Sequence, residues 1–293
     1  MAKRRIFTVG FDLPGEEFEY IEFDSDQTLL DADIVLFQPQ LQYHFSDEQH
    51  GGRRLLTEHR SHSAKRQLDH WRSEISAAVN AGKLVIVYLT KPIEGYRYTG
   101  DTQYSGSGRS RTATKMITSI SSYESVPNLT KVTPKSGIEI RLEREGSYLG
   151  PYWADFSSYS PYEVEIEGNF NKVLLSSRSG NRTVGAAFHA KGGVLLFLPP
   201  LRYDRDKFLR KGKKADEELY WTNEAVRFGK QLVAALVGIA DTLKQSTQST
   251  PPRLGSWIQI IGSLSKASWN LPSRLVRPKL PICKRKERNL KHS

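Results

Sequence analysis

Leu68-Asp69-His70-Trp71-Arg72-Ser73-Glu74-Ile75-Ser76-Ala77-Ala78-Val79-Asn80-Ala81-Gly82-Lys83-Leu84-Val85-Ile86-Val87-Tyr88-Leu89-Thr90-Lys91 is the stretch whose reading decides the fold. Leu68, Trp71, Ile75, Ala78 and Val79 recur at helical spacing and share one face of an α-helix. Ala81-Gly82 ends that helix, because glycine enters the left-handed C-terminal conformation without a Cβ penalty. From Leu84 to Leu89 every residue is apolar. A strand that does not alternate is covered on both faces, as in a parallel sheet flanked by helices. Thr90-Lys91-Pro92 closes it.

Upstream, Ile6–Phe11 reads as a first strand and Phe18–Phe23 as a second, more exposed one. Ser25–Asp31 fits a short helix capped by Ser25 or Asp26. Asp33–Phe37 is another continuous apolar strand, stopped by Gln38-Pro39, and residues 40–62 read as a polar loop. The organising helix is expected over Ser63–Ala81. Downstream, residues 93–135 carry no long apolar period and read as irregular, and such long loops are functional or mobile. Residues 146–161 hold Tyr148, Tyr152, Trp153, Phe156 and Tyr159, a loop pinned by large side chains. From Tyr162 the period is strand-like. Thr183–His189, then Ala190-Lys191-Gly192-Gly193, then Val194–Leu198 predicts a hairpin whose second strand enters the sheet, ended by Pro199-Pro200. Asp216–Leu243 reads as a long amphipathic helix, with Gly229 and Gly238 conceding helix propensity for close packing.

These elements predict one α/β domain over residues 1–245, a linker over 246–252 and a basic tail over 253–293. Residues 251–293 hold ten Lys or Arg and one Glu, a net +9 of the chain's +11. The first 250 residues carry the remaining +2, so the basic character belongs to the tail. The tail has linker-like composition ahead of it and no surviving period, which predicts disorder. A second reading makes it the truncated or frame-shifted remnant of a charged helix. No apolar run is long enough for a membrane span. The single cysteine, Cys283, excludes an internal disulfide and a multi-cysteine metal site. A cytoplasmic location is the expectation.

The layout of strand, helix, continuous apolar strand, Gly-Gly hairpin into Val194-Leu195-Leu196-Phe197-Leu198-Pro199-Pro200 and long closing helix resembles the class I glutamine amidotransferase-like fold. The resemblance covers residues 5–245 and implies a flavodoxin-like, mostly parallel sheet flanked by helices. In that family the strand matching Leu84–Leu89 delivers a nucleophilic Cys on a Gly-x-Cys-x-Gly turn. This chain has Tyr88-Leu89-Thr90-Lys91-Pro92 there. Phe188-His189 is similar to the family's His motif, but Ala190-Lys191 replaces Pro-Glu. The resemblance therefore implies a pseudoenzyme, with no catalytic residue carried over.

Open α/β sheets place their cleft beyond the C-terminal ends of the parallel strands. That rule selects the strand ends Asp12, Gln38, Thr90-Lys91 and Pro199-Pro200, of which Asp12, Gln38, Thr90 and Lys91 are the candidate ligand-binding residues, with Tyr43 and His44 following closely. Ser107, Arg109 and Arg111 lie in a Gly-Ser-Gly-Arg-Ser-Arg stretch whose N–H groups and guanidinium groups suit a phosphate. Lys284, Arg285 and Lys286 in the tail suit a nucleic-acid backbone. His59 and His62 have no accompanying ligand pattern, so neither metal nor cofactor is expected. The preferred expectation is a non-catalytic ligand-sensing or protein-interaction module with a protein partner, working in a larger assembly. The alternatives are a nucleic-acid-binding accessory protein that uses the tail, and a hydrolase or transferase centred on Asp12, Tyr43 and Lys91.

Overall fold

A computed structural model of the protein describes residues 4–41, 45, 49–135, 139–178, 182–190, 192–211 and 219–248. In chain order the first elements are β1 (Ile6–Val9), β2 (Phe18–Ile21), β3 (Ile34–Phe37), β4 (Gln49–His50), β5 (Arg53–Arg54), α1 (Glu58–Asn80) and β6 (Leu84–Tyr88). An excursion follows through β7 (Glu94–Ser105), β8 (Thr112–Ser121), β9 (Leu129–Pro134), β10 (Ile140–Leu142), α2 (Gly150–Phe156), β11 (Val164–Gly168), β12 (Lys172–Ser177) and β13 (Thr183–Ala190). Then come β14 (Gly193–Leu198), α3 (Arg205–Phe208), β15 (Leu209–Lys211), β16 (Leu219–Trp221) and α4 (Asn223–Gln248).

Eight strands form the central sheet in the order β10-β12-β13-β14-β6-β3-β1-β2. The strands β14, β6, β3, β1 and β2 are mutually parallel, whereas β13, β12 and β10 add antiparallel pairs. The fold is thus α/β with a mixed sheet. All side chains of β1, β3, β6 and β14 are buried. Their alternate residues feed two cores. Phe7, Val35, Phe37, Val85 and Val87 pack with Leu68, Trp71 and Ile75 of α1. On the other face, Ile34, Leu36, Ile86 and Tyr88 pack with Tyr152 and Phe156 of α2 and with Leu232, Leu236 and Ile239 of α4. Burial on both faces is why these strands read as continuous apolar runs.

Several expectations need correction. No helix forms over Ser25–Asp31. Ser25 Oγ instead accepts from the Gln27 N–H at 3.1 Å, a local bond that competes with helix. The organising helix begins earlier, at Glu58, because Thr57 caps it by accepting from the Arg60 N–H. Residues 93–135 are not irregular, since β7 and β8 make a long antiparallel hairpin and β9 pairs with β11. The aromatic stretch at 146–161 contains α2 and flanking 3₁₀ turns, and Tyr152 and Phe156 are buried. The final helix starts at Asn223, where the Ala225 N–H donates to Thr222 Oγ1 at 3.3 Å, and it runs to Gln248.

Within α4 the two glycines differ. A Cβ on Gly229 would lie 2.0 Å from the Pro14 carbonyl oxygen, whereas one on Gly238 would meet nothing within 4 Å. Gly229 therefore lets the short β1–β2 crossover press onto the helix. That crossover turns at Gly10 and Gly15, which have φ of +81° and +129°.

Candidate functional site at the strand ends

Beyond the C-terminal ends of β3 and β6 lies a cleft of about 350 Å³. The ends of β3 and β6 contribute Gln38, Gln40, Thr90 and Lys91, and the excursion and the segment after β14 add Glu163 and Arg202. Gly10 makes the floor possible, because a Cβ there would lie 2.5 Å from the Gln38 carbonyl and 2.9 Å from Gln40 Cγ. Gln40 is buried, and its Nε2 donates to the Gly10 carbonyl at 2.9 Å, tying the end of β1 to the segment after β3.

Glu163 and Arg202 form a fork-on-fork ion pair, with Nε to Oε1 at 3.0 Å and Nη2 to Oε2 at 3.1 Å. The Lys91 N–H also donates to Glu163 Oε2 at 3.3 Å. Glu163 is thus the hub that fixes both cations' backbones or heads. Its side chain is 15% exposed, against 51% for Arg202, so the guanidinium keeps a face toward water. Beneath the cleft, the Tyr123 hydroxyl donates to the Thr90 carbonyl at 2.6 Å and holds the β6 end in place. Burial raises the Tyr123 phenol above its ordinary range, so it stays a donor. Tyr88 and Tyr152 meet hydroxyl to hydroxyl at 3.4 Å in the core, and burial raises both phenols.

Of the residues selected from the sequence, Gln38, Thr90 and Lys91 share this cleft. Asp12 does not line it. It is exposed on the β1–β2 crossover, and its carbonyl accepts from the Tyr203 hydroxyl at 2.6 Å. Tyr43, His44, Lys284, Arg285 and Lys286 lie outside the described residues. Ser107, Arg109 and Arg111 sit at the tip of the β7–β8 hairpin and not at the cleft. The tip spends its Ser110 and Arg111 N–H groups on the Ser107 and Gly108 carbonyls, so those two are withdrawn from any anion cradle.

Glu163 and Arg202 were missed from sequence. Arg202 had a signal, because it follows the Pro199-Pro200 stop of a parallel strand, where the cleft rule applies. Glu163 had none, since only the β9–β11 pairing brings it across.

His189 lies at the other end of the sheet. It stands opposite Val194, which pairs with Leu84 at the start of β6, whereas Thr90 follows that strand's end. Its Nε2 is buried without a hydrogen-bond partner among the described residues, and burial, then Lys172, lowers its pKa. Among the described residues no cluster of three His, Cys, Asp or Glu side chains could hold a metal ion. No helix among them is long and apolar enough to cross a membrane. No protein-family model matches the chain, and no curated protein matches it.

Proposed function

We propose that the domain is a non-catalytic ligand-sensing module that receives a small anionic molecule in the strand-end cleft and signals its presence to a protein partner. One observation carries the reading: Lys91 and the Glu163-oriented Arg202 line one cleft with Gln38 and Thr90. Two cations and one carboxylate leave the lining a net +1, and with the neutral hydrogen-bonding groups beside them they suit a carboxylate or phosphate ester. The parallel strands run in the order β2-β1-β3-β6-β14, and open α/β sheets bind ligands beyond the carboxyl ends of such strands, the edge on which the β3–β6 cleft lies. The layout shared with class I glutamine amidotransferase-like domains fits the same reading. Lys91 replaces any nucleophile at the strand end, and His189 faces away from it. A cytoplasmic location belongs to this proposal.

The test is thermal unfolding of the full chain with inorganic phosphate, adenosine monophosphate, citrate or glutamate. A bound ligand at about one hundred times its Kd adds about 2.7 kcal/mol. For a domain of this size that raises Tm by about 5–10 °C. Lys91→Ala is expected to abolish the rise. No rise with any of the four, or an equal rise in the variant, would overturn the reading.

A further inference from the structure

The β7–β8 hairpin is an arm whose outer part touches little else. Every residue from Gly100 to Met116 is exposed. Its root, by contrast, is fixed. The Leu56 N–H donates to the Tyr96 carbonyl at 2.9 Å, and the Tyr98 N–H donates to Ser61 Oγ at 3.0 Å. A Cβ on Gly95 would lie 2.7 Å from the Arg54 carbonyl, so the root packs flush against the body. A long exposed two-stranded ribbon on a rigid root contributes little to the core, so its composition is free to serve a partner.

That composition is mainly cationic, and wholly so toward the tip. From Gly100 to Met116 the charged residues are Asp101, Arg109, Arg111 and Lys115, and the single carboxylate lies at the arm's inner end. Lys115 is paired with Glu58 of α1. Arg109 and Arg111 have no carboxylate partner among the described residues. The Arg111 guanidinium lies 4.0 Å over the centre of the Tyr104 ring, which holds that long side chain extended at the tip. The rest of the segment is mostly Thr, Ser, Gln and Tyr, the side chains that accompany Arg on phosphate oxygens. Past the irregularity between Tyr98 and Thr102, four residue pairs carry the ribbon to its tip. At about 3.4 Å per residue these pairs extend about 14 Å. The major groove of DNA is about 12 Å wide and about 8.5 Å deep, and it admits a two-stranded ribbon.

We propose that this arm docks duplex DNA, its tip entering the major groove with Arg109 and Arg111 on backbone phosphates. The interaction is separate from the strand-end cleft and does not depend on it.

The test compares the full chain with its Arg109→Ala/Arg111→Ala variant on a 20-base-pair DNA duplex, from about 50 to 200 mM salt. Both proteins keep the basic tail, so the difference between them isolates the arm. Removing two phosphate contacts is expected to lower the slope of log K against log salt by about 1.8. Over that fourfold salt range the wild type then loses about twelvefold more affinity than the variant. A duplex RNA of equal length, whose major groove side chains cannot enter, is expected to show equal slopes for the two proteins. Equal slopes on DNA would overturn the proposal, and so would an equal drop on both duplexes. Both substitutions lie on an exposed turn, and matching unfolding curves verify that the fold is intact.

Discussion

Replacing each of the two glycines of α4 with alanine should move stability in opposite directions. In an exposed helix interior Gly→Ala gains about 1 kcal/mol, partly by restricting the unfolded chain. Gly238 meets that condition, since its added Cβ finds open space, so Gly238→Ala should stabilise by about 0.5–1 kcal/mol. At Gly229 the same gain is offered, but the new methyl would stand 2.0 Å from the Pro14 carbonyl oxygen. Van der Waals contact between carbon and oxygen needs roughly 1.2 Å more, a shift that interiors packed at crystal-like density resist. Neither partner is the free end of a flexible side chain. One is helix backbone and the other a proline carbonyl in a short crossover. A contact this short belongs at the upper end of the about 1–3 kcal/mol that overpacking costs, and, less the gain of about 1 kcal/mol, Gly229→Ala should be net destabilising by about 1–2 kcal/mol. Urea unfolding of the two variants, monitored by tryptophan fluorescence, reads both changes at constant m-value. In Tm the pair should differ by about 3–12 °C. If both substitutions stabilise equally, the crossover is not pressed on α4 as described, and the reasoning fails.

Other consequences follow from individual contacts. Trp71 is fully buried and its Nε1–H donates to the Phe23 carbonyl at 2.7 Å, so Trp71→Phe should lose about 2–4 kcal/mol by leaving a void and an unpaired carbonyl, measured by urea unfolding. Tyr123→Phe should lose about 1–2 kcal/mol, because the Thr90 carbonyl at the cleft loses its donor, and any ligand-induced Tm rise should shrink with it. Thr222→Ala removes the α4 cap and should cost about 1 kcal/mol in the same assay. Tyr88, Tyr123 and Tyr152 have phenols raised by burial, so the folded chain retains protons that the unfolded chain releases from about pH 10 upward. Stability should therefore fall as pH rises above that point, and these three rings should ionise, by ultraviolet absorbance, only together with unfolding. Gradual ionisation ahead of unfolding would show that they are not sealed in the core.

What could be read from the sequence divides along a physical line. Where a strand is buried on both faces its composition is forced, and β1, β3, β6 and β14 announce themselves as unbroken apolar runs. The α1 stripe is equally forced, since Leu68, Trp71, Ile75, Ala78 and Val79 all end up buried. The β7–β8 arm was hidden for the converse reason. From Gly100 to Met116 nothing is buried, so no core imposes a period, and only the Tyr and Thr content hinted at strand. The same distinction governs the cleft. Gln38, Thr90 and Lys91 sit where strands that must be parallel have to end, so the topology rule finds them without any knowledge of distant pairings. Glu163 arrives through the β9–β11 ladder, far along the chain, and its alternating neighbourhood looks like any half-exposed strand. Yet Glu163 organises the site, because it binds Arg202 through both oxygens and takes the Lys91 N–H as well. A Glu163→Gln variant would keep the shape and remove the charge that orients Arg202. If the cleft receives anions through that oriented guanidinium, the variant should bind them more weakly while losing only about 1 kcal/mol of stability, since the pair is bidentate but Arg202 stays half-exposed. A large loss of stability instead would make Glu163 a structural strut, and the cleft would have to work through Lys91 alone.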